Sequence, residues 1–359
     1  MASADPEHRA RKAFILAVCT AFFWLIVGVF NCYVLHGNGY RQLNSSLGQT
    51  VTAFSHSLNS RSELLGEQAA ALAKDPRLFE PLPSVLELAD AKGNADAEDS
   101  LQRFLQDSLA NTDGDVLLLL NEKKQVVCAA ERHFPSTFVE GGGADSAVSA
   151  DDNPAEADKQ VSVLPELGTV LDKSPVDAAF EFAELQNGYV CFKSEDIAVG
   201  VVVVPLLKDK TVKGAVVLGE TLSDKVLGEC SQGMMDGVLA VIVDHKVVSS
   251  YDKRTARRPA PLLLTSLENM VETWRPANTT QKITMKEGEP DAAPEIVDVA
   301  GRPWSALSME LSGGKHPVGW VLFLGDTSSV DDAVRYSGWF FLVAIGLFFP
   351  FAYFLAWKL

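Results

Sequence analysis

Residues 197–223 read IAVGVVVVPLLKDKTVKGAVVLGETLS. AVGVVVVPLL and VKGAVVLGE are short apolar runs rich in β-branched residues, which suit pleated, buried strands better than helices. The polar turn KDKT between them makes an antiparallel hairpin. GYVCFK, at 188–193, supplies a third strand candidate across the turn SEDI, so the three runs predict a meandering antiparallel sheet. Further upstream, 116–131 read VLLLLNEKKQVVCAAE, again an apolar run, a polar turn and an apolar run. Here the strands are Val116–Leu120 and Gln125–Ala130. Helical spacing precedes this hairpin at Ser84–Lys92 and at Ala97–Leu109, where Leu101, Phe104, Leu105 and Leu109 share a face. Val176–Leu185 reads as a short helix or edge element. Glu140–Gln160 has no periodicity and few large apolar residues, and is expected to be a mobile insertion.

The pattern then returns in shorter form. Leu222–Met235 reads as helical, VLAVIVDHKVVSSYD as a hairpin and Pro261–Val271 as helical, with KITMKE, EIVDVAG, WSALSMEL and GWVLFLGD as later strands. Both halves run hairpin, helical or irregular middle, then three strands, the last ending VVLGE in one and LFLGD in the other. Two copies of one small α+β module are expected, residues 76–222 and 223–332.

Outside these modules the chain changes character. From Tyr40 to Lys74, the residues Leu43, Leu47, Val51, Phe54, Leu58, Leu65, Ala69 and Leu72 recur every three or four positions. This is one amphipathic stalk helix, residues 36–75, ended by Asp75-Pro76 and roughly 50 Å long. Its stripe must be covered by the modules' own sheets, by a second stalk, or by both. Residues 13–35 and 338–357 are apolar runs without a charged side chain, each about as long as a helix needs to cross a membrane. The first is longer than a signal-peptide core and has no small-x-small site after it, so it reads as an uncleaved anchor. Arg9, Arg11 and Lys12 precede the first run and Lys358 follows the second, which puts both ends in the cytoplasm and residues 36–332 on the other side of the membrane. Tyr33, Tyr40, Tyr336, Trp339 and Trp357 stand where interfacial belts form, and Pro350 is expected to kink the second helix, residues 337–357.

The net charge of −16 is carried by the connecting segment and argues against nucleic acid as a partner. Of five cysteines, Cys19 and Cys32 belong to the first apolar run. Cys128 and Cys191 each lie in a strand-like run, so two readings stay open, a bridge between neighbouring strands or two buried thiols. His36, His56, His133, His245 and His316 are scattered singly and no metal-ligand spacing occurs, so neither metal nor cofactor is expected. No GxSxG, phosphate-binding loop, dinucleotide turn or zincin helix is present, which points away from an enzyme.

In its order of apolar helix, long stalk, two modules and second apolar helix, the chain resembles the double Cache (tandem PAS-like) sensor domains of bacterial chemoreceptors and sensor kinases. ALAKDPRLFEPL resembles the end of that family's long helix, VLLLLNEKKQVVCAAE its first hairpin, and IAVGVVVVPLLKDKTVKGAVVLGETLS its strand-Pro-strand passage, over residues 40–332 in all. The resemblance implies a membrane-distal pocket for a small extracellular ligand. The family's amino-acid arrangement of Tyr, Arg, Trp-Tyr and Asp is not found: Trp274-Arg275 and Arg302 with Trp304 both fall in the proximal module. Candidate ligand-binding residues are Arg132, Tyr189, Phe192 and Lys193, cationic and aromatic side chains on or just after sheet strands. Family proteins continue into a cytoplasmic output domain, whereas this chain stops at Leu359. The output is therefore expected from a partner or from a longer form of the receptor. A homodimer packed along the stalks is expected, with the lipid bilayer and a signalling protein as further partners. The alternative is a non-enzymatic periplasmic scaffold or assembly subunit that binds another membrane protein.

Overall fold

The computed structural model describes residues 6–75, 95–132, 175–192, 197–232, 236–273, 294–312 and 317–358. Ser84–Lys92, the insertion at Glu140–Gln160, Lys193, the pair Trp274-Arg275 and the strand candidate KITMKE lie outside these residues.

Helix α1 runs unbroken over Pro6–Ala73, 68 residues, so the apolar segment and the stalk are one rod roughly 100 Å long. After α2 (Ala95–Ala110) come β1 (Val116–Asn121) and β2 (Val126–Glu131). Next are α3 (Pro175–Phe182), β3 (Gln186–Phe192), β4 (Ile197–Lys208) and β5 (Thr211–Thr221). The second module holds α4 (Asp224–Cys230), β6 (Gly237–Val243), β7 (Lys246–Asp252), α5 (Pro261–Thr273), β8 (Glu295–Val299), β9 (Arg302–Ser312) and β10 (Pro317–Asp326). The last helix, α6 (Ser328–Lys358), carries Pro350 within it.

The strands form two antiparallel sheets of identical topology, β2-β1-β5-β4-β3 and β7-β6-β10-β9-β8. The repeat extends to defects in the ladder: the pairing shifts between Leu119 and Leu120 in β1 and between Val241 and Ile242 in β6. At each bulge a glycine of the neighbouring strand gives the backbone room. A Cβ on Gly214 would fall 2.3 Å from the Leu120 carbonyl oxygen, and one on Gly319 would fall 2.4 Å from that of Ile242. The fold is therefore α+β, two copies of one antiparallel-sheet module in sequence, as the repeated pattern of elements implies.

Both faces of each sheet are covered, which is why the strands read as continuous apolar runs. Leu117, Leu119, Val202, Leu206, Val216 and Leu218 face Leu65, Ala69 and Ala73 of α1 and Leu101, Leu105 and Leu109 of α2. The alternate residues Val116, Leu118, Leu120, Val201, Val203 and Val217 turn to Val176 and Ala179 of α3. In the second sheet, Leu239, Val241, Val321 and Phe323 pack on Leu47, Val51, Phe54 and Leu58 of α1. The stalk stripe is thus covered by the chain's own two sheets, and α1 is the spine on which both hang. The exposed side of the stalk carries mainly polar residues, among them Gln42, Gln49, His56, Ser60, Glu63 and Glu67.

Two sequence expectations change, and the placement of Arg302 with Trp304 in the second module holds. The helix expected over Leu222–Met235 is the shorter α4. Ser223 starts it by accepting from the Val226 amide (3.4 Å), and Ser231 stops it by folding its amide and hydroxyl back on the carbonyls of Leu227 and Gly228. Cys128 and Cys191 do not bridge: β2 and β3 are opposite edges of one sheet with three strands between them, far beyond the separation of about 7 Å a disulfide tolerates. Arg302 and Trp304 lie on β9, Trp304 buried against Val299 and α5 in the second module.

The apolar ends of α1 and α6 lie side by side. Trp24 stacks on Phe348 with ring centroids 6.3 Å apart, Gly28 gives Phe341 its place, and Asn31 Nδ2 donates to Ser337 Oγ at 3.1 Å. The outer faces present Phe14, Phe22, Phe23, Phe30, Phe340, Leu347 and Phe351 without cover among the described residues. Both helices are long and apolar enough to cross a membrane.

The β4–β5 hairpin turns at Asp209-Lys210, with φ of 52° and 65°. Both residues sit in the left-handed region that this turn demands and that Asn-Gly adopts at lower cost. Replacing the pair by Asn-Gly is expected to raise stability by about 1 kcal/mol, read as a higher urea midpoint with an unchanged slope.

Candidate functional site

A cavity of about 140 Å³ lies between the spine and the first sheet, beside the junction with the second module. Leu58, Asn59, Arg61, Ser62 and Leu65 of α1 form one wall. Asn187, Gly188 and Tyr189 of β3, Gly200 of β4, Glu220 of β5 and Leu222 form the other. Strand register builds this wall: Tyr189 pairs with Gly200, and Gly200 with Glu220, so the three stand in one row across the sheet. Glycine in the middle keeps the row open, because a Cβ there would sit against the Tyr189 ring, 3.4 Å from Cε1.

Arg61 organises the polar end. Its Nε donates to Glu220 Oε2 at 2.9 Å and its Nη2 to Glu220 Oε1, while Nη1 reaches Glu229 Oε2 of α4 at 2.9 Å. One guanidinium therefore ties the spine to the first sheet and to the first helix of the second module. The bidentate bond to Glu220 pushes the guanidinium pKa up, against the opposing effect of burial. Tyr189 is pushed up to about 12, chiefly by burial and secondarily by the nearby Cys230. Its hydroxyl has no hydrogen-bond partner among the described residues. Burial also raises Cys230, while a hydrogen bond with Ser57 and the charge of Arg61 oppose the rise.

Next in the row, Asp115 accepts from the Thr221 amide at 2.9 Å. Burial raises its pKa, the Thr221 bond lowers it, and the charge of Glu220 raises it again. A raised native pKa means that the folded state holds the proton more tightly than the unfolded chain. Stability owed to this group is therefore full below the ordinary value of 3.8 and falls as pH rises through the native pKa. Asp115→Asn, which can keep the acceptor, is expected to match the parent near pH 4 and to melt higher at pH 7.

Of the residues singled out from sequence, Tyr189 lines the cavity. Arg132 lies just past β2, and its Nη2 donates to the carbonyls of Leu109 at 2.9 Å and Thr112 at 2.5 Å, capping the end of α2. Phe192 ends β3, paired with Ile197. Sequence reasoning missed Arg61, Glu220, Asn59, Ser62, Asn187 and Gly200. One signal was present: the endings VVLGE and LFLGD place Glu220 and Asp326 at equivalent strand ends, and each holds an arginine, Arg61 and Arg254.

No family model and no curated protein sequence matches this chain. Among solved structures, sensor domains of chemoreceptors and histidine kinases are similar to it. The sensor domain of the V. cholerae histidine kinase DctB is 12% identical, the match covering 80% of this chain and 98% of that one with a TM-score of 0.43. The sensory domain of the Campylobacter jejuni chemoreceptor Tlp3 is 8% identical, covering 84% and 99% with a TM-score of 0.43. The extracellular domain of the putative histidine kinase vpHK1S-Z8 is 8% identical, covering 82% and 99% with a TM-score of 0.44.

Proposed function

We propose that this protein is a membrane-anchored, non-enzymatic sensor that binds a small molecule in the cavity between α1 and the first sheet. The observation that carries the reading is that the cavity wall is α1 itself, which continues without interruption into the apolar segment. On this reading, residues 13–35 and 337–357 cross the bacterial inner membrane as an antiparallel pair. Both termini are cytoplasmic and the two modules face the periplasm. Their outer aromatic faces meet lipid, which is the cover those faces otherwise lack.

A ligand biases this molecule only by binding one arrangement of α1 against the sheet better than another. The second helix is coupled as directly as the first. One residue, Thr327, separates β10 from α6, and its hydroxyl donates to the Pro303 carbonyl at 2.5 Å. Asp326 accepts from the Ser328 amide at 2.8 Å and pairs with Arg254, so the start of α6 is fixed to the second sheet. The signal passes to a cytoplasmic partner, and two copies of the chain form the working unit.

The test is thermal unfolding of the full chain in lipid nanodiscs against amino acids, organic acids, amines and purines. A ligand at 100 times its dissociation constant adds about 2.7 kcal/mol, which is several degrees. A saturable hit weakened by Gly200→Ala supports the reading. Silence from a well-folded sample across the library overturns it and favours an assembly subunit.

A further inference from the structure

We infer that the cavity at the spine takes a small organic cation, a protonated amine with a short apolar body. This rests on the sensor reading above and adds the chemistry of the ligand.

The argument is one of unused hydrogen-bonding capacity. Arg61 is the cation of the lining, and its Nε, Nη1 and Nη2 are all engaged with Glu220 and Glu229. Two carboxylates already face this one guanidinium, so an anion entering here would bring a third negative charge beside a group as enclosed as Glu220, a costly arrangement. A cation meets the opposite balance. A carboxylate has about four lone-pair positions, of which a bidentate arginine occupies two, so Glu220 can accept further donors. Tyr189, Asn59, Asn187 and Ser62 add oxygens that accept, and Asn187 Nδ2 already donates to Ser62 Oγ at 3.2 Å.

The ring of Tyr189 adds a second attraction. It lies beside Gly200, and with no Cβ in that position the space next to the ring belongs to the cavity. An ammonium group placed there meets an aromatic face on one side and the Glu220 carboxylate on the other. Leu58, Leu65 and Leu222 are the apolar part of the lining and suit a short alkyl body. The volume sets the scale: about 140 Å³ is the liquid volume of four or five waters, enough for a molecule of a few carbon atoms.

The test uses three near-isosteres, n-butylammonium, n-butyramide and n-butyrate, titrated calorimetrically into the full chain in nanodiscs at pH 7. The expected result is saturable binding of butylammonium, at least tenfold weaker binding of the amide and none of butyrate. Gly200→Ala, whose new methyl meets Tyr189 at ordinary contact distance, is expected to keep the fold and weaken butylammonium at least tenfold. Tyr189→Phe keeps the ring, removes the hydroxyl and is expected to weaken it several-fold. Butyrate binding that is lost in Gly200→Ala overturns the cationic assignment and leaves the sensor reading standing. Butylammonium binding unchanged in both variants overturns the site. If none of the three binds, the cationic assignment falls, and the broader library then decides whether the sensor reading falls with it.

Discussion

Phe54→Ala is expected to cost about 3–5 kcal/mol, the largest loss from any single truncation along the spine. Phe54 is fully buried and meets Phe323 edge-to-face, with ring centroids 5.3 Å apart and planes at 82°. Leu47, Val51 and Leu58 pack around it, so the space left by the ring has rigid walls and cannot collapse cheaply. The change acts where α1 meets the second sheet, and the midpoint of that module should fall by roughly 10–20 °C. A melt followed by near-ultraviolet circular dichroism, beside Phe54→Leu as the milder change, measures it. A loss below about 1 kcal/mol would show that α1 does not hold the second module in the way the packing indicates.

Arg61→Leu is the second large effect. The substitution leaves Glu220, whose side chain is 11% exposed, without its bidentate partner, and it unties α4 from the spine. Breaking a fully buried pair costs about 3–5 kcal/mol, and because the Arg61 side chain is itself 29% exposed, about 2 kcal/mol is expected here. Glu220→Gln in the same background should recover part of the loss, since the second change removes the orphaned charge. A double-mutant cycle across Arg61 and Glu220 reads the coupling directly. A coupling near zero would mean that the clasp is a surface pair and does not organise the cavity.

Much of the fold was legible in the sequence because strand identity is local information. The valines of 199–204 and leucines of 117–120 report burial on both faces, and the polar turns NEKK, KDKT and DHK mark where the chain reverses. The matching order of elements gave the duplicated module, and the two sheets have the same strand order. The cysteine bridge could not be settled in this way. Cys128 and Cys191 each sit in a good strand, but which strands are neighbours depends on how the meander closes around β1 and β5.

The site was less legible, for a related reason. Arg132 looked like a ligand-binding cation at a strand end, and the fold places it over the last carbonyls of α2, groups that every helix leaves unsatisfied. Arg61 looked like one more charge on the polar side of a stalk. By itself the sequence determined the two apolar helices, the amphipathic spine and the repeated α+β module, because hydrophobic periodicity records which faces avoid water. Only the tertiary structure decided that the spine covers both sheets, and that Arg61 meets Glu220 159 positions along the chain. A contact between distant elements arises from the register of strands and the seating of a helix on them, and no local pattern of side chains encodes that geometry.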